Sequence, residues 1–156
     1  MRGLQGTRPE GVLMLRQLLH AFTLMALCVV VHASGVSSAL RLVRPRRARR
    51  FLARTLPFVV LAAWMIVCHL LEISIWAWFY EWKGAMPDLA SALYFSAVTY
   101  TTTGYGDLVL PDAWRLVGGV EALTGILMCG WSTGFFFAVV SRIDVGHPSG
   151  ARHASV

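Results

Sequence analysis

Charge is scarce in this chain: only 14 % of its 156 residues are Asp, Glu, Lys or Arg, against about 25 % in ordinary soluble domains. Lysine is reduced to Lys83 alone, and the acidic residues number 8. With a hydrophobic share of 56 %, that scarcity excludes a disordered chain, which needs low hydrophobicity and high net charge, and it argues against a soluble enzyme core. No catalytic constellation stands out, so the chain reads as a non-enzyme without a cofactor. Cysteine is sparse too. Cys28, Cys68 and Cys129 fall singly in three different apolar stretches. They lack the spacing of a metal site or a disulfide framework and read as small buried hydrophobes.

What the chain has instead is long uncharged runs. A hydrocarbon core about 30 Å thick takes roughly 17–25 apolar residues in a helix. Residues 17–40 carry no formal charge, 55–80 carry only Glu72, and 116–141 carry only Glu121. Three transmembrane helices follow. The first run is longer than the about 7–15 residues of a signal-peptide core, and Arg41 onward forms a stop-transfer pattern, so the first helix is retained.

The net charge of +6 is concentrated in the linker 41–54, which holds Arg41, Arg44, Arg46, Arg47, Arg49, Arg50 and Arg54. Positive charge beside a span favours the cytoplasmic side. Alternation then puts the N-terminus outside, residues 81–115 outside, and the tail 142–156 in the cytoplasm. Trp76, Trp78, Phe79, Tyr80 and Trp82 close the second span as an aromatic belt at headgroup level. The arginine cluster suits anionic lipid, at about 1 kcal/mol per residue, rather than nucleic acid.

The outward segment is unusual. Pro87 and Asp88 make a helix start, since proline suits the first turn and a carboxylate suits the positive end of the helix dipole. A helix over 88–100 is about 20 Å long, too short to span but long enough to dip into the bilayer and return. Thr102-Thr103-Gly104-Tyr105-Gly106 cannot continue it comfortably, because its glycines permit left-handed backbone. Alternating such residues points successive carbonyls in one direction. Irregular backbone at membrane depth survives only when buried in protein or lining a cavity. One chain makes one wall of such a cavity, so several copies are required.

Thr102-Thr103-Gly104-Tyr105-Gly106-Asp107 resembles the selectivity filter of the bacterial two-transmembrane potassium channel family, whose signature is close to Thr-Val-Gly-Tyr-Gly. The resemblance covers residues 55–141: outer helix 55–80, pore helix 88–100, filter 102–106 and inner helix 114–141. An additional tail and helix, 1–40, precede it. The resemblance implies an all-α membrane protein with three transmembrane helices, a re-entrant pore helix and a filter loop. It also implies a homotetramer in the plasma membrane that conducts K+ passively. Thr102 would coordinate K+ through its hydroxyl and carbonyl, and Thr103, Gly104 and Tyr105 through their carbonyls. Gly106 would end the filter, and the Tyr105 ring would pack sideways into the pore helices. Asp107 and Val109 would line the outer mouth, where Val109 replaces the aromatic residue that an external quaternary ammonium site needs.

Within the inner helix, Gly125 falls within one residue of the family's hinge glycine. Gly130 is a second hinge candidate, and with Gly134 it makes a small-xxx-small spacing that lets helices approach closely. Two departures from the family pattern matter. Val98 stands where pH-gated members carry a pore-helix glutamate, which leaves Tyr94 as the hydrogen-bond donor within reach of Asp107. Thr103 stands where Val or Ile is usual, which keeps open a weakly selective cation channel. A non-conducting membrane subunit that modifies a partner is a further alternative.

Glu72 and Glu121 lie roughly 12–15 Å below the outer surface at 1.5 Å per residue, beside the pore helix. Carboxylates in spans are rare and face the protein interior. His69 shares a helical face with Glu72, so His69, Glu72 and Glu121 read either as structural polar contacts or as a proton-sensing group. The first span carries His20 and His32 but no regular arginine spacing, so it is not a voltage sensor.

Overall fold

A computed structural model describes residues 10–42 and 51–144. Helices α1 (Glu10–Leu42), α2 (Phe51–Trp82), α3 (Leu89–Tyr100) and α4 (Arg115–Asp144) follow in order, with a single 3-10 turn, Asp112–Trp114, leading into α4. No strand occurs among the described residues. Three segments, Gly11–Arg41, Thr55–Trp82 and Asp112–Ser141, are long and apolar enough to cross a membrane. The chain is an all-helical, multi-pass membrane protein. Of the arginine cluster only Arg41 has a described side chain, and it is exposed at the end of α1. Arg44, Arg46, Arg47, Arg49 and Arg50 lie outside the described residues, as do 1–9 and 145–156.

The helices run longer than the uncharged stretches because a helix does not end where its apolar core ends. Its last turns sit among headgroups, where Arg41 at the end of α1 and Glu81 near the end of α2 are solvated. In lipid every backbone N–H and C=O must be satisfied internally, so the ladder continues to the interface.

α1 packs against α2 and α4. Its N-terminal half meets the C-terminal end of α2 and the start of α4: the His20 ring lies 5.7 Å from that of Phe79 and 6.2 Å from that of Trp114. α1 therefore runs antiparallel to α2. Further along, the Trp64 indole N–H donates to the Gly35 carbonyl at 2.9 Å, and a β-carbon on Gly35 would collide with the Cys68 sulfur. Ala39, Leu61 and Val139 bury one another at the opposite end of the bundle, flanked by Phe135 and Phe136. Such close approach matters because helices in lipid associate by packing contacts and not by escape from water. Cys28 and Cys68 are buried as expected, but Cys129 is exposed on α4.

The main core surrounds α3. Trp76, Tyr80, Phe95, Tyr100, Leu110, Val117 and Met128 are buried together there, and the Tyr80 and Phe95 rings meet edge to face at 5.5 Å. α3 thus lies in a cradle formed by α2 and α4. Outside that cradle, Leu56, Val59, Ile66, Ile126 and Phe137 are exposed, which suits surfaces facing lipid or neighbouring protein.

Candidate functional site

The re-entrant helix begins one residue later than the sequence suggested, because Asp88 is its N-cap and not its first residue. Asp88 is extended (φ −157°). Its carboxylate accepts the Ser91 amide N–H at 2.8 Å and the Ser91 hydroxyl at 3.0 Å. The Ser91 amide holds the Asp88 carboxyl below the usual carboxylate range, as expected for an anion at the positive end of a helix. α3 then runs 12 residues, about 18 Å, and ends at Tyr100.

Beyond it the backbone alternates. Thr102, Gly104 and Gly106 have φ of 58°, 52° and 77°, while Thr103 and Tyr105 between them do not share that left-handed conformation. Alternation of this kind turns amide N–H groups to one side of the chain and carbonyls to the other. The N–H side is anchored. Thr101 donates to Ala97 O at 3.2 Å, Thr102 to Thr99 O at 2.9 Å and Gly104 to Val98 O at 3.0 Å, so the last turn of α3 holds the loop. Among the described residues no backbone hydrogen bond reaches the carbonyls of 102–106 outside regular structure.

Side chains add to the anchoring. Thr103 donates its hydroxyl to the Thr101 hydroxyl oxygen at 3.0 Å, and Thr101 in turn donates to Ala97 O at 2.7 Å. The polar residue in place of Val or Ile is thereby tied back to α3. Residues 101–107 are all exposed on the single chain, and the Tyr105 ring, 71 % exposed, has no bed within it. At the loop's end Tyr94 donates its hydroxyl to Asp107 Oδ2 at 2.7 Å, and Leu108 its amide to Oδ1 at 3.0 Å. The Tyr94 hydroxyl foremost holds the exposed Asp107 carboxyl below the usual range. Val109 is exposed beside it.

A sequence family described as ion channel matches residues 59–142, more than half of the chain. The chain belongs to that ion channel family. The match runs from α2 through α4, the two-transmembrane pore-loop unit, and leaves α1 as an additional N-terminal helix. Comparisons with curated proteins and with solved structures return no match.

Behind the pore loop the channel buries two polar groups of side chains. The first joins all four helices. His32 of α1 and Glu72 of α2 are fully buried, with His32 Nδ1 and Glu72 Oε1 2.8 Å apart. Tyr100, the last residue of α3, donates its hydroxyl to Glu72 Oε2. His69 Nδ1 lies 3.0 Å from that hydroxyl, and its Nε2 lies 3.0 Å from Ser132 Oγ on α4. Ser132 closes the circuit at 3.1 Å from His32 Nε2. One imidazole nitrogen each of His32 and His69 and one carboxylate oxygen of Glu72 lie within 4.8 Å of one another, and these side chains are all engaged in the hydrogen bonds just described. Sequence reasoning singled out His69 and Glu72 but missed His32, Tyr100 and Ser132. One signal was available: His32 is the polar ring deep in a charge-free stretch, as Glu72 is the one charge in its own, and two such residues satisfy each other best.

The second group stands behind the middle of α3. Glu121, buried on α4, accepts the Tyr80 hydroxyl at 2.8 Å. Its other oxygen lies near the buried Ser96 hydroxyl on α3, and neither atom makes a regular hydrogen bond among the described residues. Gly125, one turn further along α4, faces the end of α3, where an added β-carbon would overlap the Tyr100 carbonyl. Gly130 has open space around it.

Proposed function

We propose that the channel conducts K+ selectively and passively through a pore shared by four copies of the chain. The observation that carries this reading is the loop 102–106. Its Thr102 and Gly104 amides are tied back to α3, its conformation alternates, and its carbonyls are left without backbone partners among the described residues. Carbonyls so presented can replace the hydration shell of a cation. Thr102, Thr103, Gly104 and Tyr105 are the proposed K+ ligands, with Gly106 ending the row. K+ is the permeant ion and not a resident cofactor.

The need for several copies follows from exposure, and four is the number the family resemblance implies. An irregular loop open to its surroundings is untenable at membrane depth unless other protein or a water-filled pore covers it. The exposed Tyr105 ring then packs against a neighbouring copy. Asp107 makes an anionic ring at the outer mouth that concentrates cations, and Val109 leaves the mouth without an aromatic collar. Gly125 and Gly130 are the proposed bending points of α4. The proposed orientation has the N-terminus outside and the tail in the cytoplasm of a plasma membrane, with the arginine linker on anionic lipid.

The weakly selective alternative rests on Thr103. Its bond to the Thr101 hydroxyl tightens the loop against α3, which favours the selective reading. Gly104→Ala tests it. A β-carbon at a φ of 52° costs about 1 kcal/mol or more and disturbs the carbonyl row. The variant is expected to lose its preference for K+ over Na+ in single-channel recordings. An unchanged permeability ratio would overturn the assignment.

A further inference from the structure

The buried circuit behind the pore loop has five hydrogen bonds: His32 to Glu72, Glu72 to Tyr100, Tyr100 to His69, His69 to Ser132 and Ser132 to His32. Each bond uses one proton. A neutral imidazole brings one, a hydroxyl brings one, and an ionised carboxylate brings none. Two imidazoles and two hydroxyls therefore bring four protons to five bonds. In that state one contact sets two lone pairs face to face, and the cluster carries a net charge of −1 within the membrane, where isolated charge is costly.

A fifth proton removes both faults. Placed on His32, on His69 or on Glu72, it lets all five bonds run donor to acceptor around the circuit, and the net charge becomes zero. No other cation is at hand. Glu72 has no Lys or Arg partner among the described residues, and the other ionisable groups nearby are the thiols of Cys28, Cys68 and Cys129. Glu121 is held separately by Tyr80, and the aromatic neighbour of His32, Trp131 at 5.5 Å, brings no charge. A divalent metal would leave the cluster at +1, whereas a proton neutralises it.

We propose that His32, His69, Glu72, Tyr100 and Ser132 form a proton-binding site, which holds one proton beyond those of two neutral imidazoles, two hydroxyls and an ionised carboxylate, and thereby ties α1 to the base of the pore loop. Tyr100 is the mechanical link. Its hydroxyl belongs to the circuit, its carbonyl rests on Gly125, and Thr102 lies two residues further on. Departure of the proton breaks one of the five bonds and leaves an anion behind, so α1 and α3 are no longer both secured to Glu72. α1 then has a role outside the pore unit, as one wall of a site that conditions the loop.

Glu72→Gln is the decisive variant. The amide oxygen accepts from Tyr100, the amide N–H donates to His32, and the remaining bonds keep their sense. The fifth proton is thereby fixed covalently at zero net charge. Two readouts apply to the full-length channel in lipid: protonation of 15N-labelled histidines together with the infrared carboxyl band, and single-channel open probability in K+, each from mildly acidic to alkaline pH. The wild type is expected to show a fifth proton that leaves as pH rises, with open probability changing about tenfold, the effect of one hydrogen bond to a charged group. Glu72→Gln is expected to assemble, to hold two neutral imidazoles throughout, and to conduct without that pH response.

The spectroscopic arm is independent of ion selectivity, so it stands even if the potassium assignment fails. Four results would each overturn the proposal. They are an ionised Glu72 with two neutral imidazoles at every pH, a wild type whose open probability ignores pH, a Glu72→Gln variant that fails to assemble or keeps the wild-type response, and a stoichiometric transition metal on the imidazoles that a chelator removes.

Discussion

Gly125 shows how one absent side chain positions the candidate site. The Tyr100 carbonyl occupies the place of its β-carbon, so α4 can press against the end of α3 only if this residue is glycine. α4 is continuous through it, which adds a packing role to the proposed hinge. Gly125→Ala is expected to destabilise the protein by about 1–3 kcal/mol, the range for overpacking a close contact, as read from thermal unfolding in detergent. Gly130→Ala, with open space around it, is expected to leave that transition in place. Asp107 is governed by chemistry and not by space. Its carboxyl lies below the usual range because Tyr94 donates to it, so the Tyr94–Asp107 contact is complete at neutral pH and is lost as the medium is acidified through that lowered value. Tyr94→Phe is expected to return Asp107 towards the ordinary carboxylate range in an NMR titration of labelled aspartate. An unmoved titration would show that the hydroxyl is not the cause.

At the scale of elements, the apolar runs and the Pro87-Asp88 signal were legible in the sequence because they rest on local physics: hydropathy over a bilayer thickness and a carboxylate at a helix start. Asp88→Ala is expected to lower the unfolding temperature through loss of the cap. The alternating loop was legible for the same reason, since two glycines two apart advertise left-handed backbone. Interhelical register was not. His32 and Glu72 lie 40 residues apart, and a helical period tells which face a residue occupies but not which neighbour it meets or at what depth. The packing that aligns them depends on Gly35 under Cys68 and on His20 between Phe79 and Trp114, contacts that no single segment encodes. Hence α1 reads from sequence as an additional helix before the pore unit, whereas it closes a polar circuit with the pore helix. The exposed Cys129 has a similar origin: its apolar surroundings in sequence are shared between the bundle interior and the outward face of α4.

The whole molecule is asymmetric in what it satisfies. Behind α3 the five-bond circuit and the core around Trp76 and Tyr80 are buried within one chain. In front of α3 the residues 101–107 and the Tyr105 ring are open. The family of pore-loop ion channels accounts for that division, since a pore wall is complete only in an assembly. Selection of K+ by the open carbonyl row is read from the reversal potential of the purified protein in a planar bilayer with K+ on one side and Na+ on the other. A single-channel current is expected whose reversal lies far towards the K+ equilibrium potential, by about 59 mV for each tenfold preference. A current that reverses near zero, or a protein that carries no current, would contradict it.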